Sequence, residues 1–176
     1  MIHNLDFFIQ TYIANIRTSG LTEYMILLST AFDVTIWSVL VTLLMSLLIY
    51  LFRGKKYSLL FLWVMSASSI IVYCMKFLFN VARPVDSIIY AFGQSFPSYH
   101  ATIATVFFIM LMYIFDTHFK KFWQIIFNTF CAIMILLVSF SRLYLGVHWF
   151  SDVLGGIILG FVLTFGSIII FKKLWH

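Results

Sequence analysis

Apolar runs of about twenty residues recur along almost the whole of this chain, and they decide what it can become. One is VTIWSVLVTLLMSLLIYLF at 34–52; another is YHATIATVFFIMLMYIF at 99–115. A helix rises about 1.5 Å per residue, so roughly 20 apolar residues cover a hydrocarbon core about 30 Å thick. Spanning helices are predicted at about Val34 to Phe52, Tyr57 to Ala82, Tyr99 to Phe115, Phe122 to Phe140 and Trp149 to Phe171. Only 10% of the residues are charged, against about a quarter in soluble domains, and no stretch is left for a separate soluble unit.

The N-terminal residues 3 to 18 mix Leu5, Phe7, Phe8, Tyr12, Ile13 and Ile16 with Asp6, Gln10, Asn15 and Arg17, a pattern that suits a helix lying in the interface. Residues 21 to 32 either extend the first span, form an interfacial turn or, joined to the N-terminal helix, make a sixth crossing. The expected fold is an all-α integral membrane protein: a compact bundle of five to six transmembrane helices with an N-terminal interfacial helix, one membrane-embedded domain over 1–176. The start MIHNLDFFIQ carries Asp6 and no basic cluster, so no cleavable signal is expected and the first helix should persist. Cys74 and Cys131 sit inside apolar runs with no zinc-type spacing and read as small core residues.

The net charge of +5 does not point to nucleic acid, because the basic residues are spread over short loops. Their positions report topology. Arg53, Lys55 and Lys56 follow the first span, Lys120 and Lys121 the third, Lys172 and Lys173 the fifth; in a five-span alternation these share one side, cytoplasmic by the positive-inside rule. Lys76, Arg83 and Arg142 fall together on the opposite side. Three cations misplaced jointly imply a shared anionic partner.

Three short segments carry the chemistry. The second span ends in KFLFNVARP, where Lys76 and Arg83 stand seven positions apart, about 10 Å along one helical face, with Pro84 ending the element. The third opens with SFPSYH: Pro97 is expected in a first helical turn, free amides around Ser98 and Tyr99 then make a phosphate site at the positive end of the helix dipole, Ser98 adds a hydroxyl, and His100 lies on the same turn. In SRLYLGVHWFSD, Ser141 and Arg142 end the fourth span, while His148 and Asp152 stand four residues apart on one helical face. Asp152 reaches back to one ring nitrogen of His148, fixing its tautomer and leaving the other nitrogen as an acceptor. Each segment alone has a plain reading as a snorkelling lysine, a polar cap or an anchoring pair. Charged groups in membrane segments are costly, and six polar groups converging on one side make function the default explanation.

KFLFNVARP, PSYH and SRLYLGVHWFSD resemble the three signature motifs of the type 2 phosphatidic acid phosphatase superfamily, Lys-x6-Arg-Pro, Pro-Ser-Gly-His and Ser-Arg-x5-His-x3-Asp, in order over residues 76 to 152. The resemblance implies a lipid phosphatase in which Lys76, Arg83 and Arg142 grip phosphate oxygens with help from Ser98 and nearby amides, including that of Tyr99. It implies that His148 forms a phosphohistidine, that Asp152 orients it, and that His100 protonates the leaving oxygen, with no metal or cofactor. Tyr99 departs from the family pattern by standing at its glycine, a position that lets a ligand approach the backbone closely. Its ring either lines the path of the lipid or faces neighbouring helices.

The implied substrates are undecaprenyl diphosphate, phosphatidylglycerophosphate, phosphatidic acid or the phosphates of lipid A. The expected partners are that substrate and membrane lipids, without nucleic acid, and the chain is taken as a monomer. The expected location is a bacterial cytoplasmic membrane with the site on its extracytoplasmic, periplasmic face. Two rivals are a phosphotransferase of the same family and a small anion transporter; against the transporter, the ionisable groups gather at one face instead of threading the midplane. The Gly156 and Gly160 pair reads as close helix packing within the chain. Asp33 reads as interfacial, Trp37, Trp123 and Trp149 as interface anchors, and His118 and His176 as cytoplasmic and outside the chemistry.

Overall fold

The computed structural model describes residues 2–30, 32–33, 36–116 and 118–175. Val34, the expected start of the first span, the side chain of Trp37 and His176 lie outside the described residues. Seven helices follow one another: α1 (Ile2–Asn15), α2 (Ser19–Thr30), α3 (Ile36–Arg53), α4 (Lys55–Phe79), α5 (Tyr99–Phe115), α6 (Lys121–Tyr144) and α7 (Phe150–Trp175). Among the described residues three helices, in α4, α6 and α7, are long and apolar enough to cross a membrane, and two shorter apolar ones lie in α3 and α5. These five correspond to the predicted spans. Residues 21–32, left open by composition, fall mostly in α2, set off from α1 by a break before Ser19.

α5 is the centre of the bundle. It is apolar all round, its residues from His100 to Leu111 are buried, and α4, α6 and α7 pack against it. Its small residues let α7 come close: a methyl added at Gly160 would lie 2.6 Å from Thr105 Cβ, and one at Gly156 2.8 Å from the Ser98 carbonyl. The glycine pair is therefore spent on α5 within this chain. Across α3 and α4, the hydroxyls of Ser46 and Ser58 meet at 2.8 Å in the buried seam, so neither is left unsatisfied away from water.

α1 is turned with its polar side inward. Asp6 and Gln10 are buried while Phe8 and Tyr12 are exposed, the arrangement expected where the outside is lipid. Asp6 accepts hydrogen bonds from the Ser151 amide (2.9 Å) and hydroxyl (2.7 Å), placing a carboxylate at the positive end of α7. Arg17 then donates to the carbonyls of Tyr144 (2.9 Å) and Asp86 (3.2 Å). The N-terminal helices thus grip the links that lead into α7 and α5.

Two boundaries differ from the sequence reading, and both matter for the site. α4 stops at Phe79 because Asn80 takes a left-handed conformation (φ 45°) and returns its amide to the Lys76 carbonyl, a cap asparagine tolerates better than most residues. Arg83 therefore stands in the following loop and does not share a helical face with Lys76. α6 runs on to Tyr144, which puts Ser141 and Arg142 inside its last turn. At one end of the bundle the Arg53 guanidinium covers the Tyr57 ring at 5.2 Å and the Lys172 ammonium covers Tyr113 at 5.6 Å. The opposite end gathers the C-termini of α4 and α6 and the N-termini of α5 and α7.

Candidate active site

The loop between α4 and α5 is built around two cations. Lys76 Nζ donates to the carbonyls of Gln94 (2.7 Å) and Ser95 (3.1 Å). Arg83 donates from Nε to Gly93 (2.8 Å), from Nη2 to Phe92 (3.1 Å) and Gln94 (3.2 Å), and from Nη1 to Val147 (2.7 Å). A loop of irregular backbone needs partners for its carbonyls, and these two side chains supply them. They also carry positive charge to one point from an α4 helix end and from the loop itself.

His148 sits in the short link between α6 and α7, one residue before Trp149, with almost no exposed surface. Its Nδ1 lies 3.4 Å from Asp152 Oδ2 and 3.3 Å from Ser95 Oγ, and Ser95 Oγ in turn donates to Asp152 Oδ2. The same carboxylate oxygen accepts from the Trp149 amide at 2.8 Å, so Asp152 also caps the start of α7. On the far side of the ring Nε2 lies 3.3 Å from Arg83 Nη1. Burial, and then the charges of Arg142, Arg83 and Lys76, hold the imidazole well below its ordinary pKa, so it is neutral near neutral pH. A neutral ring with its proton held on the Asp152 side has its lone pair on the Arg83 side.

His100, in the first turn of α5, faces Asp33 across the site, with Nε2 2.7 Å from Oδ1. Asp33 belongs to the link between α2 and α3, and the hydrogen bond from His100 draws its carboxyl below the usual range against the cost of burial. Arg142 is buried; Nη1 donates to Ser29 Oγ of α2, and Nε has no hydrogen-bond partner among the described residues. An unsatisfied buried guanidinium nitrogen is expensive unless something else completes it.

Lys76, Arg83, Arg142, His148, His100, Tyr99 and Asp33 all line one cavity of about 590 Å³. A second cavity of about 580 Å³, lined mostly by apolar side chains such as Val41, Leu62, Ile70 and Phe107 with a few serine and threonine hydroxyls, shares Tyr73 and Tyr99 with the first. Tyr99 stands at that boundary with its ring 5.5 Å from Tyr73 and its hydroxyl 3.3 Å from Ser69. Its side chain is turned toward α4, between the two cavities.

Ser98 stands apart from the other predicted residues. It is fully buried, its amide donates to the Asp152 carbonyl (3.0 Å) and its hydroxyl caps α5 by accepting from the Ala101 amide. Pro97 precedes this cap instead of lying in the first turn, because Ser98 takes the extended backbone of the capping position. In this arrangement Ser98 joins the start of α5 to the start of α7, which carry His100 and Asp152. Three groups that the sequence reading left out or set aside are drawn in: Ser95 behind His148, Ser29 beside Arg142 and Asp33 against His100. The only sequence signal for Asp33 was a carboxylate at the same end of the bundle as the cations; Ser95 and Ser29 carried none. Trp149 bonds the Ala82 carbonyl at 2.9 Å and so helps fix the rim of the site, while His118 packs among Phe52, Phe115 and Phe119 at the other end.

A family model described as PAP2 superfamily matches residues 57–176. The chain is 29% identical over 118 residues to YbjG of Escherichia coli (strain K12), provisionally named an undecaprenyl-diphosphatase, covering 64% of this chain and 56% of that protein. It is 31% identical over 123 residues to phosphatidylglycerophosphatase B of Bacillus subtilis (strain 168), covering 66% and 59%. The match thus spans less than two thirds of either relative. In fold it is similar to a crystal structure of a transmembrane PAP2-type phosphatidylglycerolphosphate phosphatase from Bacillus subtilis (TM-score 0.89, 24% identity, 98% of this chain and 87% of that one). It is also similar to Aquifex aeolicus LpxE (TM-score 0.75, 20% identity, 94% and 95%).

Proposed function

Since the chain belongs to the PAP2 superfamily, we propose that it is a membrane phosphatase that removes a phosphate from a lipid phosphomonoester or diphosphate by way of a phosphohistidine at His148. One observation carries the reading: Lys76, Arg83 and Arg142 share a cavity with two histidines, and that cavity adjoins an apolar one at Tyr73 and Tyr99. The first suits a phosphate head and the second a hydrocarbon tail. A transferring phosphoryl group spreads negative charge over its equatorial oxygens, so fixed cations and in-line placement are what the reaction needs. Arg142 Nε, a buried donor without a partner among the described residues, is a natural ligand for one such oxygen.

The His148 Nε2 lone pair forms a bond to phosphorus, giving up its contact with Arg83 Nη1; the bond from phosphorus to the leaving oxygen breaks, its electron pair goes to that oxygen, and His100 supplies the proton. Water then attacks phosphorus, its proton passes to His100, and the nitrogen–phosphorus bond breaks with its electron pair returning to the imidazole. Asp152 and Ser95 hold the proton on Nδ1 throughout. Residues 1–176 act as one membrane-embedded domain, with the site on the extracytoplasmic face of the cytoplasmic membrane.

Purified protein in detergent, given a panel of lipid phosphates headed by phosphatidylglycerophosphate and undecaprenyl diphosphate with a chelator present and no acceptor added, should release inorganic phosphate. His148→Ala should abolish the release. Activity that survives His148→Ala, or that requires an added metal, would sink the reading; product formed only when a second lipid acceptor is supplied would show a transferase.

A further inference from the structure

The proposed reaction requires His100 to hold a proton until the leaving oxygen claims it, and most of the groups facing His100 oppose this. Arg142 faces it from α6 and Arg83 from the α4–α5 loop; Lys76 lines the same cavity from α4. His148, from the α6–α7 link, is neutral, and Tyr99 and Tyr73 also line the cavity. Among the described residues, the carboxylate in contact with His100 is Asp33, from the α2–α3 link, with Oδ1 2.7 Å from Nε2. That distance is in the range of charge-assisted hydrogen bonds. Asp152 lies behind His148, on the other side of the ring that attacks.

We infer that Asp33 is the positioning residue for the acid: it fixes the His100 ring through Nε2 and supplies the negative charge that lets this imidazole carry a proton among cations. This rests on the reading of the site as a phosphatase. The two histidines then have parallel supports with opposite purposes. Asp152 with Ser95 holds the His148 proton on Nδ1 and leaves its other lone pair free, whereas Asp33 opposes the cations that drive the proton off His100. Both side chains line the cavity, the imidazole 8% and the carboxylate 37% exposed. Asp33 lies outside residues 57–176, so the family match alone does not point to it.

The test compares two substrates in one variant. A lipid phosphate with an alkyl leaving oxygen needs the acid; an aryl phosphate with a good leaving group needs it far less. In Asp33→Asn, kcat on the lipid phosphate should fall roughly 10- to 100-fold, a part of the 10²–10⁴ that general acid catalysis typically provides, while the aryl phosphate loses less than about threefold. KM should change little. The alkaline limb of the pH–rate profile, where the acid form is lost, should move to lower pH by about one unit, the low end for a close opposite charge because Asp33 is partly exposed. Asp33→Glu should recover part of the loss, and Asp33→Asn in a His100→Ala background should add nothing. The ratio between the two substrates does not depend on how much of the variant folds. Equal losses on both substrates, an unmoved alkaline limb or additive losses with His100→Ala would overturn the inference while leaving the phosphatase reading intact; a wild-type protein that hydrolyses neither substrate would sink that reading itself.

Discussion

Asp152→Asn is the sharpest probe of how the proposed nucleophile, His148, is prepared. The Asp152 Oδ2 atom accepts from Ser95 and from the Trp149 amide at 2.8 Å, and lies 3.4 Å from His148 Nδ1. An asparagine keeps the volume, but Trp149, Ser95 and Nδ1 all meet the one atom Oδ2: with the amide oxygen there the contacts stay and only the charge is lost, whereas with the amide nitrogen there the Trp149 bond is given up and amide hydrogens face Nδ1. In the second arrangement Nδ1 must become the acceptor, the ring proton moves to Nε2, and the lone pair proposed to attack phosphorus is lost. The same exchange in a serine-hydrolase triad costs about 10⁴ in kcat through the wrong tautomer. Here the contact is longer, and Ser95 Oγ at 3.3 Å can take the Nδ1 proton instead, so part of the population keeps the right tautomer. The expected loss is therefore about 10²–10³, or about 2.7–4 kcal/mol at 1.36 kcal/mol per decade. Ser95→Ala, which leaves the carboxylate in place, should cost no more than about tenfold. The assay is phosphate release from the lipid substrate with trapping of the phosphorylated histidine, which should accumulate more slowly in Asp152→Asn. Activity of Asp152→Asn within about threefold of wild type would refute the account of tautomer control.

The pH dependence has a definite sign. The folded pKa of His148 lies well below its ordinary value of 6.5, so the neutral nucleophile persists as pH falls, and the acid limb of kcat/KM should lie clearly below pH 6.5. The same group makes folding less favourable in acid: the unfolded chain takes up the proton near 6.5 and the folded one does not, so this contribution to stability is present above that pH and is lost as pH falls below it, readable as a falling Tm in detergent. Gly160→Ala should lower Tm, because the added methyl lies 2.6 Å from Thr105 Cβ; overpacking of about 1–3 kcal/mol exceeds the roughly 0.5–1 kcal/mol that alanine returns to a helix. Gly166→Ala on the same helix meets nothing within 4 Å and should raise Tm, which makes it the control.

What was legible in the sequence follows from the range of each signal. Long apolar runs place α3 to α7 because each must bury or expose a whole helical surface. The four-residue spacing of His148 and Asp152 survives as a 3.4 Å approach, although His148 stands in the link before α7 and not on its helical face, and Lys76 and Arg83 meet at the Gln94 carbonyl instead of along one helix. The pairing of His148 with Asp152 needed only local geometry. The end of α4 was misplaced because Pro84, four residues beyond Asn80, carried a louder stop than Asn80, whose left-handed cap shows only in the backbone. Ser95 was invisible for a different reason: a serine in an irregular loop has no periodicity, and it reaches His148 and Asp152 only after Lys76 and Arg83 have tied that loop down through its carbonyls.

The contacts of the N-terminal helices explain why a compact family segment does not by itself complete this site. Two of the groups proposed to act on the phosphate, Arg142 and His100, are held by Ser29 and Asp33, and the α7 start that carries Asp152 is capped by Asp6. Each bond joins residues more than sixty positions apart, so none can form until α1 and α2 have packed on α6 and α7. The packing is in turn directed by polarity, since Asp6 and Gln10 are buried on the protein side, where Asp6 accepts from Ser151, while Phe8 and Tyr12 suit lipid. The amphipathic pattern that first marked residues 3 to 18 as interfacial therefore also orients the helix whose neighbours complete the site.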